Sequence, residues 1–457
     1  MTTISFPKNF LWGVAASAYQ IEGAPDANGK GPSIWDTFSH TPGKTANSET
    51  GDVAIDHYHR WEEDLDLMRA LGVRAYRFST AWTRILPAGK GTINTPGLDF
   101  YDRLVDGCLT RGITPMPCLF HYDLPQALQD AGGGWRNRDT AHHFAEYAAI
   151  VTRRLSDRCP VIFTHNEPFV TAIAGYMLGL HAPGERSLAG GLKAAHHVLL
   201  SHGLAAEAIR AAARQPVKVG ITLNLSPTYP ASPAARDARA AERYHALLNR
   251  ATLDPLLRGN SPLLNDPWLG WLVRAFVRPG DLEHMRNLDV LGVNYYSRSV
   301  LRHDWRAFPA FASEVKPRES EYSEMWEIYP PGMYDLLMRI WRDYYLAAPG
   351  QPLPELWITE NGVPVPDALS PDGQVHDPRR IRYLRDHLAQ VRRAMNDGVD
   401  VRGYFVWSFA DNCEWALGYG PRFGLVYVDY QTLRRTVKDS GRWYAQVIAE
   451  NGFELET

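Results

Sequence analysis

Short apolar, β-branched runs recur along the chain, each ending in a polar or aromatic cluster and followed by a longer stretch with helical spacing. Eight such runs stand out: LWGVAASAYQ ending at Gln20, VRAYRFS at Ser79, PMPCLFH at His121, VIFTHNE at Glu167, VKVGITLN at Asn224, DVLGVNYY at Tyr296, ELWITEN at Asn361 and VRGYFVWSF at Phe409. Between them the spacing predicts helices over 60–71, 98–111, 141–155, 192–213, 235–257, 334–346 and 378–396. Strands alternating with helices imply parallel pairing through right-handed crossovers, and eight repeats suffice to close a (β/α)8 barrel. A minimal barrel takes ~250 residues, so roughly 200 of the 457 lie in enlarged connections, chiefly those that follow the strands. No linker or composition break divides the chain, which is read as one α/β barrel domain over 1–457. The Pro- and Ala-rich stretch 227–235 reads as one long loop.

Composition narrows the function. With 45% hydrophobic and 22% charged residues the chain is of ordinary globular type. Its 48 basic and 51 acidic side chains give −3 without long like-charge blocks, which argues against nucleic acid or an anionic membrane as partner. The start, MTTISFPKNFLWG, lacks the charged and apolar regions of a secretory signal, and no run of about 18 apolar residues occurs, so a cytoplasmic protein is expected. Cys108, Cys118, Cys159 and Cys413 are scattered without a CxxC spacing, as free thiols in a reducing compartment would be.

Polar residues gather where the predicted strands end: Gln20, His121, Asn166 with Glu167, Asn294 with Tyr296, Glu360, and Trp407. A single one is commonly a turn former, but their recurrence at one strand end after another marks the functional face of such a barrel. Two are carboxylates at the exits of apolar runs, Glu167 in THNEP and Glu360 in ITENG. A pair of acids is the minimum equipment for cleaving an acetal: one protonates the leaving oxygen while the other meets the oxocarbenium-like carbon. The pairs His142-His143 and His196-His197 lie on predicted helices, where adjacent side chains point about 100° apart, so no metal site is expected from them. His57-Tyr58-His59 is read as packing. Neither GxGxxG, GxxxxGK[ST] nor GxSxG occurs, so neither a phosphate-cradling loop nor a serine nucleophile is supported. Aromatic residues are abundant, and Trp407, Trp415 and Phe423 crowd the segment WSFADNCEWALGYGPRF beside Glu414.

An ordered set of motifs spans nearly the whole chain: FPKNFLWGVAASAYQIEG, DHYHRWEEDLDLM, YRFSTAW, HYDLPQAL, THNEPF, GYMLGLHAPG, GVNYY, MWEIYP, ITENG and DNCEWALGYGPRFGLVYVDY. In these the sequence resembles glycoside hydrolase family one, the retaining β-glucosidase and β-galactosidase family of (β/α)8 barrels. The resemblance implies that Glu167 is the acid/base on strand four and Glu360 the nucleophile on strand seven. It places Arg77, Asn294 and Tyr296 in support of the nucleophile, and Asn166 at the sugar 2-hydroxyl. Gln20, His121, Tyr122, Glu414, Trp415 and Phe423 then belong to the sugar-binding set, with Trp407 as a stacking floor, and Phe169 and Trp326 to the aglycone side.

Three departures stand out. Tyr122 and Phe169 replace residues that are commonly Trp in the family, and Cys413 replaces the usual Phe of DNFEW. The activity implied is a β-glucosidase acting by double displacement on cellobiose-like disaccharides and aryl glucosides, with a small-molecule β-glycoside as substrate and no cofactor. Broad β-galactosidase/β-fucosidase specificity and transglycosylation use the same residues. A 6-phospho-β-glycosidase would carry Ser and a Lys/Tyr pair after strand eight, where this chain has Glu414, and a non-catalytic relative would lack one carboxylate.

Overall fold

The computed structural model describes residues 2–347 and 352–455. Eight parallel strands close into a barrel: β1 (Leu11–Ala16), β2 (Ala75–Ser79), β3 (Thr114–Phe120), β4 (Val161–Asn166), β5 (Lys218–Asn224), β6 (Val290–Asn294), β7 (Glu355–Asn361) and β8 (Val401–Trp407). Each pairs with the next in sequence, and β8 returns to β1 with Gly403 opposite Leu11 and Trp407 opposite Ala15. Helices His57–Ala70, Thr95–Thr110, Asp139–Leu155, Leu188–Ala212, Ala251–Arg258, Pro331–Ile340, Pro378–Asn396 and Asp439–Glu450 alternate with the strands. The last of these was not among the predicted helices. Among the described residues no helix is long and apolar enough to cross a membrane.

The strands are buried on both faces, so their side chains divide into two cores. Trp12, Val14, Tyr76, Phe78, Leu119, Tyr404 and Val406 point out to the helices. Ala15, Ala75, Met116, Cys118, Phe163, Trp357 and Phe405 fill the barrel interior, where Trp357 stacks on Phe405 at 6.0 Å. Arg77 takes an inward position between outward Tyr76 and Phe78, its guanidinium 5.5 Å from the centre of the Phe163 ring.

Strict alternation breaks where the two carboxylates leave. The β4–β5 register shifts between Phe163 and Asn166. Thr164 and His165 both face the helix Leu188–Ala212, bonding His202 and Ser201, and the extra residue returns Asn166 to the interior. A second shift, between Ile358 and Glu360, lets Thr359 and Glu360 both reach the barrel mouth. At the same end of β7, Gly362 passes so close to β8 that a Cβ would stand 1.8 Å from the Trp407 carbonyl oxygen, so only glycine fits.

The predicted strands run too long at their C-terminal ends. Gln20 lies in the helical turn Ala18–Ile21, and His121, Glu167, Tyr296 and Phe409 follow the last paired residues, because the chain must bend there to leave the sheet. The helix expected over 235–257 is Ala235–His245, a wider turn Ala246–Arg250 and Ala251–Arg258. The helix expected over 334–346 likewise ends in a wider turn, Trp341–Leu346. The stretch 227–235 is not plain loop: Thr228–Pro230 joins Ser299–His303 and Ala312–Glu314 in a small three-stranded sheet.

The long connection after β8 is anchored by buried charge. Lys438 Nζ donates to Asp411 Oδ1 at 2.7 Å and also to Asp367. Arg422 reaches Asp411 Oδ2 at 2.7 Å, and Arg380 pairs with Asp367 at 2.8 Å and with Asp377. Removing these charges from water is tolerable only because each is paired.

Candidate active site

Glu360 sits at the end of β7 with both oxygens occupied. Arg77 Nη1 donates to Oε1 at 2.7 Å and Tyr296 Oη to Oε2 at 2.6 Å. The second amino group of Arg77 donates to Asn166 Oδ1 at 2.6 Å. Burial and the nearby Glu167 carboxylate raise Glu360, Arg77 and Tyr296 oppose them, and the net position is pushed up to about 7.

Glu167 follows β4 directly and has the left-handed φ of 47°. That conformation is costly for a residue with a Cβ and is found where the surroundings dictate it. Its Oε1 accepts from Asn294 Nδ2 at 2.7 Å and Asn224 Nδ2 at 3.3 Å, while Oε2 accepts from Tyr122 Oη. Burial raises its proton affinity, and these three donors and Arg77 draw it back. Asn294, expected beside the nucleophile, thus belongs to the other carboxylate: it also donates to Asn166 Oδ1 at 3.2 Å and accepts from Thr359. Thr359, inward by the same alternation as Trp357, occupies the Asn294 carbonyl oxygen, and the Asn294 amide nitrogen is shared between Asn166 and Glu167. A continuous chain Glu360–Arg77–Asn166–Asn294–Glu167 therefore links the two acids.

Around them lies a wall of planar groups. His121 Nε2 accepts from Asn166 Nδ2 at 2.9 Å, which leaves its proton on Nδ1, a buried atom without a partner among the described residues. Burial and Arg77 keep this imidazole neutral. The His121 ring lies 5.6 Å from Trp407 and 5.8 Å from Trp415. Gln20 Nε2 donates to Asn412 Oδ1, to the Cys413 carbonyl and, at 3.2 Å, to Glu414 Oε2. Glu414 is pushed up to about 8, first by burial and then by Glu360. On the Glu360 side Trp326 packs 4.9 Å from Tyr296 and 5.8 Å from Phe423. Phe169 stands apart from this cluster, lining an apolar cavity of about 210 Å³ with Pro168, Ile173, Met177, Leu188 and Leu192.

Two members of the network escaped the sequence reading. Asn224 closes the fifth apolar run and is found by the same strand-end rule that marked the others. Thr359 precedes Glu360 and carries no sequence signal of its own; it faces inward by the same alternation as Trp357, and it is Glu360 whose inward turn depends on the bulge. The pair His196-His197 is structural: His196 bonds Asp281 at 2.7 Å and His197 bonds the Trp135 carbonyl at 2.9 Å.

Residues 2–453 match the model of Glycosyl hydrolase family 1. The chain belongs to this family. It is 46% identical to Beta-glucosidase A of Acetivibrio thermocellus over 99% of this chain and 100% of that one. It is also 46% identical to a bifunctional beta-D-glucosidase/beta-D-fucosidase of Bifidobacterium breve, over 98% and 99% of the two chains. The solved Family 1 b-glucosidase from Thermotoga maritima superposes over 100% of both chains with a TM-score of 0.93 at 44% identity. The same Thermotoga enzyme has been solved in complex with castanospermine and with deoxynojirimycin. As a family 1 member the chain is a glycoside hydrolase on a (β/α)8 barrel, as the motifs implied.

Proposed function

We propose that this family 1 hydrolase is a retaining β-glucosidase in which Glu360 is the nucleophile and Glu167 the acid/base. The observation that carries the assignment is the contrast between the two carboxylates. Glu360 is held by a guanidinium and a phenol, a setting for a charged nucleophile, whereas Glu167 is held by amides and a phenol, a setting for a group that changes protonation. Glu360 attacks the anomeric carbon as the bond to the leaving oxygen breaks, and Glu167 hands its proton to that oxygen. Glu167, now ionised, takes a proton from water, whose oxygen displaces Glu360 from the same carbon with overall retention.

Asn166 stands between the two acids, where it can meet the sugar 2-hydroxyl. His121 Nδ1, Gln20, Glu414, Trp407, Trp415 and Phe423 supply the remainder of the sugar site, with Trp326 on the aglycone side. Cellobiose-like disaccharides and aryl β-glucosides are the substrate class, and the Bifidobacterium relative's dual name favours β-fucosides as secondary substrates. A phosphorylated sugar fits poorly, because Arg422 and Lys438, the cations near this loop, are both committed to Asp411. Four buried free cysteines suit the cytoplasmic setting inferred from the sequence. Proton NMR of early hydrolysis of nitrophenyl β-glucoside tests the reading: β-glucose is expected first, and α-glucose first would overturn double displacement.

A further inference from the structure

Tyr122 departs from the Trp common in the family, and its place in the structure gives it a different task from holding sugar. It follows β3 with φ of 74°, and its ring is wedged 4.9 Å from His121 and 5.0 Å from Trp415. So confined, the phenol has one direction to point. Its hydroxyl donates to Glu167 Oε2 and accepts from Asn166 Nδ2 at 3.3 Å. The other recorded donors to Glu167, Asn294 and Asn224, both use Oε1.

We propose that Tyr122 is a positioning residue for Glu167, fixing Oε2 and favouring the ionised carboxylate. The inference rests on the acid/base reading of Glu167. An amide nitrogen only donates, whereas a hydroxyl both donates and accepts, so the Tyr122 contact survives when Glu167 gains its proton. The phenol stays protonated throughout, because burial and the Glu167 charge raise it far above neutrality. Donation to the carboxylate stabilises the charged form, which offsets part of the burial around Glu167. The consequence is a Glu167 that releases its proton more readily in the first step and is more fully ionised as base in the second.

Tyr122→Phe removes the hydroxyl and keeps the ring. The basic limb of kcat/KM for cellobiose reports loss of the Glu167 proton in the free enzyme, and it should move to higher pH by about one unit. Turnover of dinitrophenyl β-glucoside, which needs no proton donor to leave, should lose little in kcat/KM. Tyr122→Trp, which restores the family's usual side chain, should shift the limb in the same direction and serves where Tyr122→Phe is poorly folded. In a Glu167→Gln background, adding Tyr122→Phe should change dinitrophenyl turnover less than about twofold. An unmoved basic limb, or an equal loss with and without Glu167, would overturn the proposal and assign Tyr122 to sugar binding alone. Failure of the underlying reading looks different: Glu167→Gln alone would then leave the ratio of cellobiose to dinitrophenyl glucoside rates unchanged.

Discussion

Arg77 Nη1 lies 2.7 Å from Glu360 Oε1, both side chains buried at the mouth of the barrel. The contact crosses from β2 to β7 and does two things. It offsets the charge of Glu360, and through the second amino group it fixes Asn166, and hence the spacing between the two acids.

Each acid should leave its own stereochemical signature. In Glu167→Ala, cellobiose hydrolysis should fall ~10²–10⁴-fold while dinitrophenyl glucoside still forms the glycosyl-enzyme. Azide should then release β-glucosyl azide. In Glu360→Ala no covalent intermediate forms, and azide attacking the vacated face should give the α-azide. The anomer assigned by NMR checks both; β-azide from Glu360→Ala would exchange the two roles.

The acid limb of the pH profile should sit far above the ordinary carboxylate range. Glu360 must be ionised to attack, and its carboxyl is pushed up to about 7, so kcat/KM should decline as pH falls below that value. With dinitrophenyl glucoside the basic limb should flatten, because Glu167 is not needed as a donor, while the acid limb remains. A profile level down to pH 5 would mean that Arg77 dominates the ionisation of Glu360.

Glu414 should cost stability at alkaline pH. Its folded pKa of about 8 lies above the ordinary 4.5, so the folded state holds the proton more tightly and stability is lost as pH rises between those values. Glu414→Gln removes this penalty. Its gain over the parent should be near zero at pH 4.5 and grow to on the order of a few kcal/mol by pH 8, read from denaturant melts. A gain independent of pH would contradict the buried-carboxylate explanation.

Lys438 should matter more to the fold than its distance from the acids suggests. Lys438→Met leaves Asp367 and Asp411 buried with one cation fewer, and breaking such a network typically costs about 3–5 kcal/mol. Because Asp411 also holds the Gly424 amide at 2.9 Å, the loop bearing Glu414 and Trp415 should loosen and KM rise along with the loss of stability. Parent-like melts would show the charges to be independently satisfied.

The sequence by itself determined the barrel, the two carboxylates and most of the surrounding polar set. The reason is periodicity: eight apolar runs separated by helical stretches admit few topologies, and catalytic side chains of such a barrel must stand where strands end. Tertiary structure decided which of those side chains meet. Counting inward from Phe163 by twos puts His165 inside and Asn166 outside, and only the bulge in β4 reverses this. The bulge in β7 brings Glu360 to the mouth, where regular alternation from Trp357 would leave it facing the helices, while Asn294 meets Glu167 and Thr359, which nothing in the sequence singles out. The bond from Tyr122 to Glu167 depends on two left-handed backbones and on aromatic rings from β3 and the loop after β8, which are far apart in the chain. One inserted residue flips every side chain beyond it, and a pattern with a period of two does not announce where the insertion falls.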